Sequence, residues 1–253
     1  MDTKSPLKAK PHRYAGQSLD EEIADLINDK LGSVMWFAGC MAVVAMYEWA
    51  KFLGDAPPAP KTMTGVALVA IGYALFKFYR TRKTVRRLKQ ARDGEQAVGQ
   101  FLESQRKQGG YIFHDLVGSG FNLDHVLISP KGVFAVETKT YSKPSKGKAV
   151  IHIEEGSVLV NGYAATQDIN AQLLAQKKWI SEELSKLSGT KVEACAVLVF
   201  PGWYVEGKFE QAGLWAMNPK GFAKRLQGLD DVYTEEQVRR LANILSMHLR
   251  EAY

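Results

Sequence analysis

Asn122-Leu-Asp-His-Val-Leu-Ile-Ser-Pro-Lys-Gly-Val-Phe-Ala-Val-Glu-Thr-Lys139 is the stretch on which the fold of this chain turns. Val126 to Ser129 is an apolar lead-in, Pro130-Lys131-Gly132 breaks it, and Val133 to Val136 leads out. The run therefore reads as two antiparallel strands joined by a tight turn. Three ionisable residues interrupt it: Asp124, Glu137 and Lys139. Glu137 and Lys139 are two apart, so on a strand their side chains share a face. Asp124 begins the first strand and Glu137 ends the second, so the hairpin can bring both carboxylates to one end. Two carboxylates and an ammonium are costly to hold together unless a cation binds among them.

Working outward, the segment from Asp93 reads as a helix ending near Gly109-Gly110, then a strand from Tyr111 to Val117 and a turn at Gly118-Ser119-Gly120. After the hairpin, Lys143 to Lys148 is a loop. Val150 to Ile153 and Ser157 to Val160 form a small hairpin, and Asp168 to Leu187 a long amphipathic helix. Val192 to Phe200 is an apolar, β-branched strand of the kind buried on both faces. Trp203, Tyr204 and Phe209 fall in a loop, Leu214 to Met217 reads as an edge strand, and two helices follow, Pro219 to Leu226 and Glu235 to Leu249.

These residues resemble the nuclease-related domain (NERD) family, a branch of the PD-(D/E)XK phosphodiesterase superfamily. The resembling pieces are Gly94-Glu95 in a helix, the Asp124-His125 pair, the turn at Gly132 and Glu137-Thr138-Lys139. Asp168-Ile169-Asn170-Ala171-Gln172 stands where the family usually has Asn-Pro followed by Gln. The resemblance runs from about Asp93 to about Pro201 and implies an α/β fold, a restriction-endonuclease-like mixed sheet with flanking helices; with the C-terminal helices the domain reads as residues 93–253. Phosphodiester hydrolysis needs an activated water and neutralisation of the phosphorane. Magnesium, or manganese in its place, prefers oxygen ligands and keeps several waters, which suits Asp124, Glu137 and the Thr138 carbonyl. The resemblance adds Glu95 to that metal set. Lys139 would orient or deprotonate the water and stabilise charge, and Gln172 would bond a catalytic group or the substrate.

Other polar residues read differently. His125 points to the face opposite Asp124 and reads as a hydrogen-bonded structural histidine. His114 and Asp115 form a second polar cluster without a ligand spacing. Trp203 and Tyr204 could stack on unpaired bases, although packing in a core is the commoner fate.

The net charge of +6 is local in origin. Arg80, Arg82, Lys83, Arg86, Arg87, Lys89 and Arg92 carry seven positive charges within residues 80–92, with no acid among them. From Asp93 onward, eighteen basic and nineteen acidic side chains nearly cancel. Cys40 and Cys195 have neither a disulfide framework nor a zinc spacing and suit a reducing compartment.

Residues 1–33 read as a tail, polar and proline-bearing to Gly16, followed by a short amphipathic helix with Ser18 and Glu21 as a capping pair. Val34 to Leu53 is mainly apolar and long enough to cross a hydrocarbon core of about 30 Å. Gly54 to Pro60 breaks the helix, and a second apolar run, Thr62 to Phe76, follows. Both runs would also suit buried helices of a soluble bundle. Their adjacency, their all-round apolarity and the basic residues 80–92 favour a two-helix membrane hairpin over residues 34–79. Both termini then lie on the cytoplasmic side of an inner membrane, with lipid contacts along residues 34–92.

The expected function is that of a membrane-anchored, metal-dependent nuclease, with nucleic acid as partner and DNA ahead of RNA. The alternative is a non-catalytic module that binds nucleic acid or protein at the membrane.

Overall fold

The computed structural model of the chain describes residues 12–54, 60–118, 121–144, 147–154, 156–165 and 168–252. These fall into two compact units, one of residues 18–90 and one of residues 12–17 with 91–252. The turns read at Ser119-Gly120 and through Asp55–Ala59 lie outside the described residues.

The helical unit opens with α1 (Gln17–Asp25), passes through π-helical turns at Leu26–Gly32 and continues as α2 (Ser33–Leu53). The sequence reads an amphipathic helix capped by Ser18 and separate from the apolar run. In the structure the two are one helical stretch, and Ser18 lies inside it. The only breaker near the junction is Gly32, which a helix tolerates at a cost of about 1 kcal/mol. Helix α3 (Pro60–Glu103) starts on a proline, whose missing N–H costs nothing at that position. It carries the second apolar run and the whole basic stretch in 44 residues. Trp49 Nε1–H donates to Thr64 Oγ1 across the pair.

Only 17% of the most apolar window of each long helix is buried within the chain. Trp36 is 76% exposed and Leu53 81%, whereas the buried side chains of α2 and of the apolar run 62–76 are alanines: Ala38, Ala45, Ala67 and Ala74. Both stretches are long and apolar enough to cross a membrane by length and composition.

The α/β unit takes the last turns of α3, from Ala91. Its strands are β1 (Tyr111–Val117), β2 (Asn122–Ser129), β3 (Gly132–Thr138), β4 (Val150–Glu154), β5 (Ser157–Val160) and β6 (Tyr163–Ala164). After α4 (Ile169–Ser188) come β7 (Ala194–Val199), β8 (Tyr204–Gly207), β9 (Leu214–Met217), α5 (Pro219–Gln227) and α6 (Glu235–Ala252). The main sheet has the order β1-β2-β3-β7-β9. Its first three strands are antiparallel, while β7 runs parallel to both β3 and β9. A smaller sheet has the order β6-β5-β4-β8. The protein is thus a mixed α/β fold with two sheets and flanking helices.

Strand β8 departs from the sequence reading, which has a loop there. Its four residues pair in parallel with β4 at the sheet's edge, and so short an element leaves no periodic signal. Tyr204 opens this strand. Trp203 is core, with its indole N–H bonded to the Tyr141 carbonyl.

Helices α4 and α6 cover one face of the main sheet, where Ile180, Leu184, Val238 and Leu245 pack with Val126, Ile128, Val133 and Ala135. The other face takes Val98 and Leu102 of α3 and Phe222 and Leu226 of α5, against Leu127, Phe134, Val136 and Val197. Each of the valine, leucine, isoleucine and phenylalanine side chains among them contributes about 1.5–3 kcal/mol when fully buried. Strand β3 is buried along its entire length, which is why it reads as a nearly unbroken apolar run and why a glutamate in it stands out.

Residues 12–17, read as part of a polar tail, pack on this unit; residues 1–11 lie outside the described residues. His12 Nε2 bonds Ser246 Oγ of α6 at 3.0 Å, and its ring meets Phe113 of β1 edge-on.

Candidate active site

The β2–β3 hairpin turns at Gly132, whose φ of +136° suits glycine. Its opposite, open end carries the carboxylates. The main-chain pairing of β2 with β3 extends as far as His125–Val136. Beyond it the Asp124 side chain takes over, and Thr138 N–H donates to Asp124 Oδ2 at 2.7 Å. Lys139 N–H bonds the Val199 carbonyl at 3.0 Å, which fixes the strand's exit against β7.

Glu137 is 3% exposed. Its Oε1 accepts from Gln172 Nε2 at 2.8 Å and from Lys139 Nζ at 2.7 Å; its Oε2 accepts from Gln176 Nε2 at 2.6 Å. Gln172 and Gln176 are one helical turn apart, so α4 presents both to the same point. Asp168 sets that helix in place: its side chain caps the first turn by accepting from Ala171 N–H. Gln176 also donates to the Asn122 carbonyl, while its Oε1 is buried without a hydrogen-bond partner.

Glu95 reaches the site from α3 because Gly94 precedes it. A Cβ on Gly94 would lie 1.9 Å from Thr140 Oγ1, so only glycine lets the helix approach the end of β3 this closely. Glu95 is 8% exposed. Burial first, and then the charges of Asp115 and Glu137, push its carboxyl up to about 8, against the pull of Lys139. Asp124 is likewise raised well above the ordinary carboxylate range, by burial and then by Glu137 and Glu95. For Lys139, burial works downward, but Glu137 and Asp124 more than reverse it and the ammonium is stabilised.

The structure thus brings Asp124, Glu137, Thr138, Lys139, Glu95 and Gln172 to one place. Sequence reasoning did not single out Gln176, whose only signal is the i+4 spacing from Gln172. Asp115 was noticed, but as part of a separate cluster. It is buried and bears on Glu95, and Arg13 Nε donates to its Oδ2 at 2.7 Å.

His125 lies on the other face, as the strand alternation predicts. It is fully buried, with Nδ1 at 2.9 Å from His114 Nδ1, and His114 Nε2 is 3.1 Å from Glu103 Oε1. Burial and the neighbouring His114 hold its pKa well below the ordinary value, so it stays neutral.

Among the described residues no group of three or more His, Cys, Asp and Glu side chains is placed to hold a metal ion. The donor chemistry nevertheless fits a hard dication. All the candidate ligands are oxygens. Asp124 Oδ1 accepts no hydrogen bond among the described residues, and Glu137 Oε2 has a lone pair beyond its bond to Gln176. Burial, and then mutual repulsion of the acids, raises the Glu95 and Asp124 carboxyls, and a bound cation would offset both.

Residues 90–201 match the family model described as "nuclease-related domain". Neither the curated proteins nor the solved structures gave a match. The matched stretch holds every carboxylate of the site, with Lys139 and Gln172, while Arg13, which meets Asp115, lies outside it.

Proposed function

We propose that the α/β unit is a restriction-endonuclease-like, metal-dependent nuclease that cleaves phosphodiester bonds of nucleic acid. The observation that carries this reading is the meeting of Asp124, Glu137 and Glu95 with Lys139 in one buried site. Asp124, Glu137, Glu95 and the Thr138 carbonyl would hold Mg²⁺ or Mn²⁺. When bound, the cation lowers the pKa of a water and draws charge from a phosphate oxygen.

The chain's own residues do the rest. Gln172 and Gln176 fix both oxygens of Glu137 and so set the direction of its remaining lone pair. Lys139, held as an ammonium, donates hydrogen bonds and stabilises charge gathering on the phosphate, rather than removing a proton. Thr138 N–H holds Asp124 by its Oδ2 at the open end of the hairpin.

The helical unit is the anchor in this reading. The exposed apolar surface of α2 and α3 would face lipid at a cytoplasmic membrane, and Arg80 to Arg92 would meet anionic head groups at roughly 1 kcal/mol each. Carbonate extraction of cell membranes tests this: release of the full chain without detergent would refute the anchor.

The catalytic test uses the full chain in detergent with labelled single- and double-stranded DNA and RNA. Mg²⁺ and Mn²⁺ are expected to support cleavage, Ca²⁺ to support it poorly, and Glu137→Ala to abolish it. If the parent binds these substrates and cleaves none of them with any divalent ion, the binding-module reading replaces this one. The near-neutral charge of the chain from Asp93 onward favours that second reading.

A further inference from the structure

Asp115 is a carboxylate in the middle of an apolar strand, 1% exposed and with φ of +51°, a conformation few residues adopt. It stands in register opposite Asp124, between the pairs His114–His125 and Leu116–Leu123. A buried charge in such a place demands a cation. The guanidinium that meets it arrives with residues 12–17, a short peptide from outside the matched stretch.

That peptide is shaped to lie on α3. Gly16 is buried with φ of +78°, and a Cβ there would be 3.0 Å from Arg92 Cγ and 3.5 Å from Arg92 Cα. A Cβ on Gly99 would be 2.9 Å from Ala15 Cβ. Each glycine therefore leaves room for the segment opposite. Arg92, Glu95 and Gly99 are spaced three and four apart, so they share one helix face. The peptide touches that face on both sides of Glu95 and ends on α6 through His12 and Ser246.

We propose that residues 12–17 are a strap belonging to the carboxylate site, in which Arg13 is a positioning residue that fixes Asp115 while Ala15 and Gly16 pin the α3 turns flanking Glu95. This rests on the reading of Glu95 as part of the metal site. It makes the nuclease-related domain a two-segment structure whose working geometry depends on residues lying before the first apolar helix. The charge of Asp115, which bears on Glu95, is held where the strap leaves it.

The test uses the full chain in detergent micelles, with Mn²⁺ affinity read by calorimetry and amide hydrogen exchange read over residues 92–99. Gly16→Ala changes no charge and touches no carboxylate, so a loss of affinity reports geometry. It is expected to weaken Mn²⁺ binding about 10-fold, as loss of an outer-shell support does, and to speed exchange over residues 92–99. Arg13→Ala should also speed that exchange, and Arg13→Lys should bring it back toward the parent. Ala15→Gly removes only the methyl on Gly99 and gives the same reading if Gly16→Ala does not fold. Faster exchange with unchanged Mn²⁺ affinity would reduce the strap to scaffold and overturn its role at the site. Unchanged exchange and affinity in all these variants would overturn the strap altogether, while a parent that still binds Mn²⁺ leaves the carboxylate site standing. A parent that binds no Mn²⁺ overturns the site reading, and the strap's role falls with it.

Discussion

Glu137 sits 3% exposed in a strand whose other residues are almost all apolar, and three donors make its charge tolerable. Hydrogen bonds to a buried charge contribute about 1.5–3 kcal/mol each. Gln176→Ala is therefore expected to lower stability by roughly that amount, read as a fall in the denaturant midpoint. Lys139→Ala should leave metal binding intact and cost on the order of 10² to 10⁴ in rate, whereas Asp124→Ala should remove both together. Metal titration beside single-turnover cleavage separates these outcomes.

The titration of Glu95 gives a signed prediction. Its carboxyl, raised from 4.5 to about 8 by burial and neighbouring acids, keeps a proton in the folded chain that the unfolded chain gives up. Metal-free stability is therefore favoured below about pH 4.5 and lost as pH rises toward 8. Relative to Glu95→Gln, the parent's melting temperature should fall across that window. A flat difference would mean that Glu95 is not perturbed. Asp124, Glu137 and Lys139 were legible in the sequence because charges inside an apolar hairpin violate its pattern. Gln176 was not legible, because a glutamine on an amphipathic helix violates nothing.

At the scale of the element, the approach of α3 to the end of β3 rests on a missing methyl. Gly94→Ala would gain about 1 kcal/mol in helix propensity, yet its Cβ would fall 1.9 Å from Thr140 Oγ1. The clash is expected to win, with a net loss of about 1–3 kcal/mol and weaker Mn²⁺ binding as Glu95 is displaced. Thr140→Gly in the same chain should recover part of both, and failure to recover either would place the coupling elsewhere. The hairpin and the long helices were legible because each spans enough residues to repeat its period. Strand β8 was hidden, since its pairing with β4 is a tertiary fact. The docking of residues 12–17 was hidden too, because its signals are two glycines and an arginine, none with a periodic neighbour.

At the scale of the whole molecule, six of the basic residues of the 80–92 stretch belong to the helical unit, whereas Arg92 and the carboxylate site belong to the α/β unit. Seven basic residues fall within residues 80–92, while the chain beyond them is nearly neutral. Neutralising Arg86 and Arg87 together is expected to weaken binding to anionic vesicles and to leave the rate at saturating nucleic acid unchanged. Vesicle co-sedimentation and steady-state cleavage measure the two effects. A fall in the saturated rate would assign the basic stretch to the substrate instead.

The bond between His12 and Ser246 spans 234 positions in the chain. A ribosome adds about 5–20 residues each second, so the strap emerges roughly 10–50 s before α6 exists to receive it. In that interval both apolar helices are made, and the strap has no finished surface to lie on. Closure of the α/β unit by this contact thus waits for α6. A nascent chain stalled before α6 should display residues 12–17 to a protease that the completed protein excludes.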